Sequence, residues 1–295
     1  MGKQTLDIQT VCECNRCLGC KTLHPQVSLI DLENPGLEQE AVKFGFYAVM
    51  LIENGPDGCG CCGCRYDDYA YASMVFLTPG EVFRMSESDT LPGKGRLLAF
   101  HPDLLFRTFL REYTFFSYRK EEALHLSQRE TAQVVCCLGN IDEELHHAID
   151  THTSAILSRL IGLLLDYCTR FYERQFITRE NRNKAVVKKT EQLLDEYLVS
   201  GRAQGGGLPA QERFAGELGL SAAYFSDVLM FETGRTLDEF FELRRFHIAR
   251  RMLLDEGSTP AAVAGRLGFA SVQRFSWLFR KLTGVAPGEY RQSQN

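Results

Sequence analysis

The sequence predicts an α+β chain in two parts, a strand-rich N-terminal domain with flanking helices and an all-α C-terminal domain built from two helix-turn-helix motifs. Three observations carry this. Residues from about 43 to 100 alternate short apolar runs with turn signals. From Ser127 onward the pattern becomes helical, with a capping box and a long apolar stripe. In the last quarter one motif is written twice: Ala215-Gly-Glu-Leu-Gly-Leu220 runs through Phe225-Ser226 to Thr233-Gly234, and Ala264-Gly-Arg-Leu-Gly-Phe269 through Phe275-Ser276 to Thr283-Gly284. The offset is 49 residues before the turn and 50 after it, so one copy carries an extra residue at the turn, where insertion costs least.

At 295 residues and 44% hydrophobic content the chain can bury a core in each of two domains. The expected division is residues 1–178, a polar linker at 179–184, and 185–295. No stretch approaches 18 consecutive apolar residues, and Met1 to Cys20 lacks the apolar core of a signal peptide. The expectation is a cytoplasmic protein with no membrane partner. The net charge of −5 is unevenly placed: residues 1–180 carry 17 Lys+Arg against 25 Asp+Glu, and residues 181–295 carry 16 against 13. Only the C-terminal part is attracted to phosphate, and mildly, so its binding should rest on specific contacts as well as on bulk field.

Eleven cysteines stand out, eight of them in two groups: Cys12, Cys14, Cys17, Cys20 and Cys59, Cys61, Cys62, Cys64. Without a secretory signal, structural disulfides are disfavoured. Two readings stay open: four thiolates can hold zinc, an iron-sulfur cluster or Cu(I), with Cys12, Cys14, Cys17 and Cys20 as ligands, or the cysteines replace small apolar residues in a core. No other cofactor is expected. Strands are expected in Phe44–Ile52, Cys59–Tyr66 and Tyr71–Leu77, with turns at Asn54–Gly58 and Thr78-Pro-Gly80. If Cys59–Cys64 is a strand, its thiols alternate between faces and cannot form one site without a bulge. The aromatic supply (Phe44, Phe46, Tyr47, Tyr69, Tyr71, Phe76) suits a core or an apolar ligand pocket. Ser127-x-x-Glu130 then opens one helix, and Thr153 to Phe176 carries Ile156, Leu157, Leu160, Ile161, Leu164, Cys168 and Phe171 on one stripe.

In the C-terminal part, Leu208-Pro209 is expected to open a helix that Gly219 ends, and Ser221 to cap the next, with Phe225, Val228 and Leu229 inward. Leu237 to Leu254 reads as a connecting helix of about 27 Å, long enough to hold two recognition helices near successive major grooves. Thr259-Pro260 opens the second motif, whose last helix turns Phe275, Leu278, Phe279 and Leu282 inward. Outside are Ser271, Gln273, Arg274, Trp277, Arg280 and Lys281. Gln273 and Arg274 suit base edges, and Arg280 and Lys281 suit phosphates. On the first recognition helix the expected contact residues are Ser221, Ala223, Tyr224, Ser226 and Asp227, poor in long donors. Arg245 on the connecting helix completes the expected DNA-binding set. None of these is expected to be catalytic.

Leu267-Gly-Phe269 with Phe275-Ser276, Leu278-Phe279-Arg280-Lys281, Thr283-Gly284 and Pro287-x-Glu289-Tyr290-Arg291 resembles the AraC/XylS family of bacterial transcription regulators over about residues 185–291. The sequence departs from that pattern at Met230 and Phe231, where basic residues are usual, and at Trp277, where arginine is frequent. The strand-rich segment resembles the cupin-like β-barrel effector domain that commonly precedes such a DNA-binding domain. Metal-binding cupins supply closely spaced histidines, and none lies between His24 and His101.

The resemblance implies a transcription regulator, not an enzyme, that binds double-stranded promoter DNA as a homodimer and answers an unidentified small-molecule effector. RNA polymerase is a further expected partner, through Met230 and Phe231. The alternative from another class is a DNA methyl-phosphotriester acceptor with a zinc-thiolate site fused to an AraC-type domain.

Overall fold

The structure, a computed structural model, describes residues 5–32, 41–53, 71–84, 95–105, 110–204, 207–208, 210–255 and 257–290. The second cysteine group, Tyr69, Pro209 and the turn expected at 54–58 lie outside the described residues. The chain divides into two compact units, residues 1–178 and 179–295.

In the N-terminal unit the strands form two sheets. β1 (Thr5–Ile8), β3 (Ala41–Phe44) and β6 (Val82–Arg84) make the smaller one, in the order β1-β3-β6 with β1 parallel to β3. β2 (Val27–Asp31), β4 (Tyr47–Glu53), β5 (Ala72–Leu77), β7 (Gly95–Phe100) and β8 (Leu124–Leu126) make an antiparallel sheet in the order β2-β7-β4-β5-β8. The architecture is α+β as expected, but among the described residues the strands do not close into a barrel. Alternate residues of the larger sheet (Ile30, Ala48, Met50, Val75, Leu77, Leu97, Ala99) meet Ile8, Val42, Phe44 and Phe83 of the smaller one in a shared core. The opposite face is also covered. Phe76 packs on Phe115 at 4.5 Å between centroids and on Tyr172 at 6.1 Å, and Cys168 Sγ lies 3.8 Å from Met74 Sδ. Double coverage explains why β4 and β5 read as continuous apolar runs and not as alternating ones.

Helix α1 (Val11–Cys17) is capped by Thr10 and Glu13. The helices that cover the sheet are α2 (Gln128–His146), opened by the expected Ser127/Glu130 capping box, and α3 (Thr153–Thr178). One turn of α3 pins the edge strand β8: Gln175 Oε1 accepts the His125 N–H at 2.8 Å, its Nε2 donates to the Ala123 carbonyl at 3.2 Å, and Arg174 donates to the His125 carbonyl at 2.7 Å while pairing with Glu130.

The first cysteine group does not assemble as a ligand set. Residues two apart on a helix point about 200° away from each other, so Cys12 faces outward while Cys14 is fully buried among Ile8, Val11 and Phe44. Cys17 and Cys20 pack half-buried against the same core. Burial, reinforced by Cys17 and Cys20 nearby, pushes the Cys14 thiol up to about 12, so it stays neutral. Among the described residues no group of three or more His, Cys, Asp or Glu side chains is placed to hold a metal ion.

The C-terminal unit is all-α: α4 (Glu180–Val199), α5 (Gln211–Glu217), α6 (Ala222–Thr233), α7 (Leu237–Leu254), α8 (Pro260–Arg266) and α9 (Val272–Thr283). Residues 180–184, expected as linker, are the first turns of α4. Their charged side chains suit a solvated helix face as well as a linker, and the two are not separable by composition. The expected start at Leu208 also shifts, to Gln211.

The two motifs end their first helices identically. Gly219 (φ +71°) and Gly268 (φ +70°) occupy the left-handed region, and the next residue's N–H returns to the helix, Leu220 to Ala215 at 2.8 Å and Phe269 to Ala264 at 2.9 Å. Their surroundings differ. A side chain at Gly219 meets open space, whereas a Cβ at Gly268 would run into the Ala203 carbonyl. Gly219→Ala should therefore cost about 1 kcal/mol, the left-handed penalty alone. Gly268→Ala should cost at least about twice that, because backbone must also move. Chemical denaturation of the C-terminal unit in the full chain checks the difference; equal losses would contradict the close packing at Gly268.

Candidate nucleic-acid interface

The second recognition helix, α9, is built to present one face. Ser271 caps it, its Oγ accepting the Arg274 N–H at 3.1 Å, and Gly284 ends it at φ +82°. Phe275 and Phe279 are buried. Phe275 packs on Phe269 at 4.8 Å between centroids, and Phe279 on Phe246 at 5.4 Å and Tyr290 at 5.1 Å. With the helix rotation fixed in this way, Arg280, Gln273, Trp277, Lys281 and Arg274 fall on one exposed arc of about 120°. Trp277, at its centre, is 64% exposed, and Lys281 Nζ lies 5.1 Å from its ring centroid. No acidic residue lies on the arc. Leu282, expected to turn inward, is 55% exposed: it sits at the end of the helix, past the reach of the aromatic cluster.

Position by position, α6 corresponds to α9 with an offset of 50, and its chemistry is the reverse. Ser221 is its N-cap and is buried, its hydroxyl accepting the Tyr224 N–H at 3.2 Å. Where α9 has Arg274, α6 has Tyr224, which is 2% exposed with its hydroxyl 3.5 Å from Arg179 Nη1. Tyr224 was expected on the outer face; the segment entering α4 covers that flank of the first motif, a contact 45 residues distant in sequence. Ala223, Ser226 and Asp227 are partly exposed, and Asp227 stands where α9 has Trp277. Met230 and Phe231, opposite numbers of Arg280 and Lys281, are exposed.

Helix α7 spans Leu237–Leu254 as expected, opened by a Thr236/Glu239 capping box. Its arginines are largely committed inside the unit. Arg244 grips Asp195 of α4 through two bonds of 3.0 and 2.6 Å, which raises its already high pKa. Arg250 donates to the Tyr290 hydroxyl at 2.8 Å. Arg245, expected to reach DNA, is 8% exposed: its guanidinium carbon lies 3.6 Å from the Phe269 ring centroid and its Nη1 donates to Glu242 at 2.7 Å. Burial pushes its pKa down, with Glu242 opposing. Arg245 thus fastens the connecting helix to the turn of the second motif. That role depends on Phe269, far along the sequence, and so could not be read from the charge pattern of α7.

The arrangement is one cationic, aromatic-centred helix face and one nearly neutral face on a common scaffold. A family model described as a helix-turn-helix domain matches residues 214–293. The chain is similar to the HTH-type transcriptional regulator Rv1931c of Mycobacterium tuberculosis, 28% identical over 92 residues, 31% of this chain and 36% of that protein. It is also similar to the uncharacterized HTH-type transcriptional regulator YobQ of Bacillus subtilis, 32% identical over 71 residues, 24% of this chain and 30% of that protein. The chain thus spans about a third of the length of these relatives. Among solved structures, the C-terminal domain of the response regulator AraT from Geobacillus stearothermophilus is 25% identical, over 37% of this chain and 84% of that one, at a TM-score of 0.31, too low to add to the argument. The doubled motif and the match over residues 214–293 make this part of the C-terminal unit a helix-turn-helix domain.

Proposed function

We propose that the protein is a sequence-specific, DNA-binding transcription regulator whose N-terminal unit answers a small-molecule effector and pairs two copies. The observation that carries the reading is the exposed arc of α9. Three cationic side chains and one glutamine stand on the outer face of a recognition helix with no carboxylate among them. Gln273 and Arg274, in the first turn, have the donor geometry for base edges, and Arg280 and Lys281, further along, suit phosphates. Ala223, Ser226 and Asp227 give α6 a smaller share of the affinity, while Tyr224, Ser221 and Arg245 hold the scaffold. The zinc-thiolate methyl-acceptor alternative has no ligand set among the described residues.

An exposed apolar line on α3 supports pairing. Ile156 and Leu163 are exposed and seven residues apart, and Ile177 is exposed two such steps further on, with Arg170 at the step between, so the three share one side of the helix as a helix-to-helix seam requires. The apolar pair Met230 and Phe231 supports a contact with RNA polymerase in place of the phosphate contacts made by their counterparts in the second motif.

Three outcomes follow. Titrations of selected duplex DNA across salt concentrations should show Arg280→Ala and Lys281→Ala each lowering the salt slope by about 1 and weakening all sequences alike, while Arg274→Ala relaxes preference at one base pair. Wild-type chain that binds random and selected duplexes equally would refute sequence-specific reading. Leu163→Glu should shift the full chain from dimer to monomer in sedimentation, and an unchanged mass would rule out the α3 seam. In transcription with purified polymerase, replacing Met230 and Phe231 by Lys should lower output without loss of DNA binding; unchanged output removes the polymerase contact, and candidate effectors can be screened in the same assay.

A further inference from the structure

Trp277 is the one tryptophan in the chain, a side chain that burial usually claims, and here it is exposed. It stands in the second turn of α9, at the crest of the exposed arc, with Gln273 and Lys281 four residues to either side and Arg274 and Arg280 three residues away. Phe275 and Phe279 fill the helix's inner face, so the domain has no use for the indole as core. Lys281 leans over the ring, its Nζ 5.1 Å from the centroid. A large apolar group encircled by cations, with no acidic neighbour on its arc, suits a polyanion that itself carries an apolar feature. In the major groove the base edges offer one projecting apolar group, the C5-methyl of thymine, among donors, acceptors and flat C–H edges.

Resting on the reading of this unit as a DNA-binding domain, the geometry points to Trp277 as a specificity-determining residue that reads thymine methyl groups in the half-site bound by α9. Arg274 and Gln273 flank it with donors for neighbouring base edges, and Arg280 and Lys281 hold the backbone on either side. The first motif has no aromatic group at the matching position. Its residue at the same position is Asp227, whose carboxylate repels phosphate and offers no apolar surface. The two half-sites are therefore chemically unlike, with methyl-dependent affinity concentrated at one end of the operator.

The test begins with duplexes selected from a random-sequence pool by the full chain. Each thymine of the best duplex is then replaced singly by deoxyuridine, which removes only the methyl group. One or two positions should lose affinity about fourfold, the loss for one buried methyl. Trp277→Ala should weaken the parent duplex roughly tenfold, as a mismatched base pair does, and be indifferent to the same deoxyuridine substitutions. Trp277→Leu, which keeps an apolar tip, should retain part of that sensitivity, and circular dichroism of both variants should match the wild type because the side chain is exposed. Indole emission, which reports Trp277 alone, should change on binding. A selected duplex with no deoxyuridine-sensitive position, or sensitivity that persists in Trp277→Ala, overturns the inference while leaving DNA binding intact. Selection that enriches no duplex overturns the DNA-binding reading itself.

Discussion

The outward face of α9 depends on the turn at Gly268. The chain must reverse there within one residue at φ +70° while the Ala203 carbonyl lies where a side chain would begin. Only glycine meets both demands. Once the turn is set, Phe269 is delivered between Phe275 and Arg245, Arg266 donates to the Val199 carbonyl at 3.0 Å, and the rotation of α9 about its axis is decided. The arc of Arg274, Gln273, Trp277, Lys281 and Arg280 faces water because Phe275 and Phe279 cannot. Function in this unit is what remains outside after the aromatic cluster is packed.

The same logic gives the two motifs different work despite their shared frame. Ser221 and Ser271 both cap, Gly219 and Gly268 both turn, Gly234 and Gly284 both close in the left-handed region. The scaffold positions repeat because they answer identical backbone requirements. The outward positions do not repeat, since no packing constraint ties them. Tyr224 is covered where Arg274 is free to reach outward, and Asp227 stands opposite Trp277. An internal duplication has kept its geometry and divided its chemistry.

The N-terminal unit shows a related economy. Its larger sheet is buried on both faces, by the smaller sheet on one side and by α2, α3 and the aromatic group around Phe115, Phe116 and Tyr172 on the other. The price of a doubly covered sheet is its edges, and at β8 the backbone is met by Gln175 and Arg174 of α3. Cys14 and Cys168 belong to this packing. Both thiols are raised by burial, Cys14 to about 12, which places them with small apolar side chains and not with reactive thiolates.

Much of the C-terminal unit was legible in order along the chain: the doubled motif, the helix starts at Ser221 and Thr259, the glycine turns, the span of Leu237–Leu254, and the polar arc of α9. These follow from local rules, helix periodicity, capping and the left-handed preference of glycine, which act within about four residues. What tertiary structure alone decided were the fates of residues whose partners are distant in sequence. Tyr224 is buried beside Arg179, Arg245 is stacked on Phe269, Arg244 is claimed by Asp195, and residues 180–184 are helical. In the N-terminal unit, individual strands were legible but their division into two sheets was not, because hydrophobic alternation records that a face is buried and never what buries it.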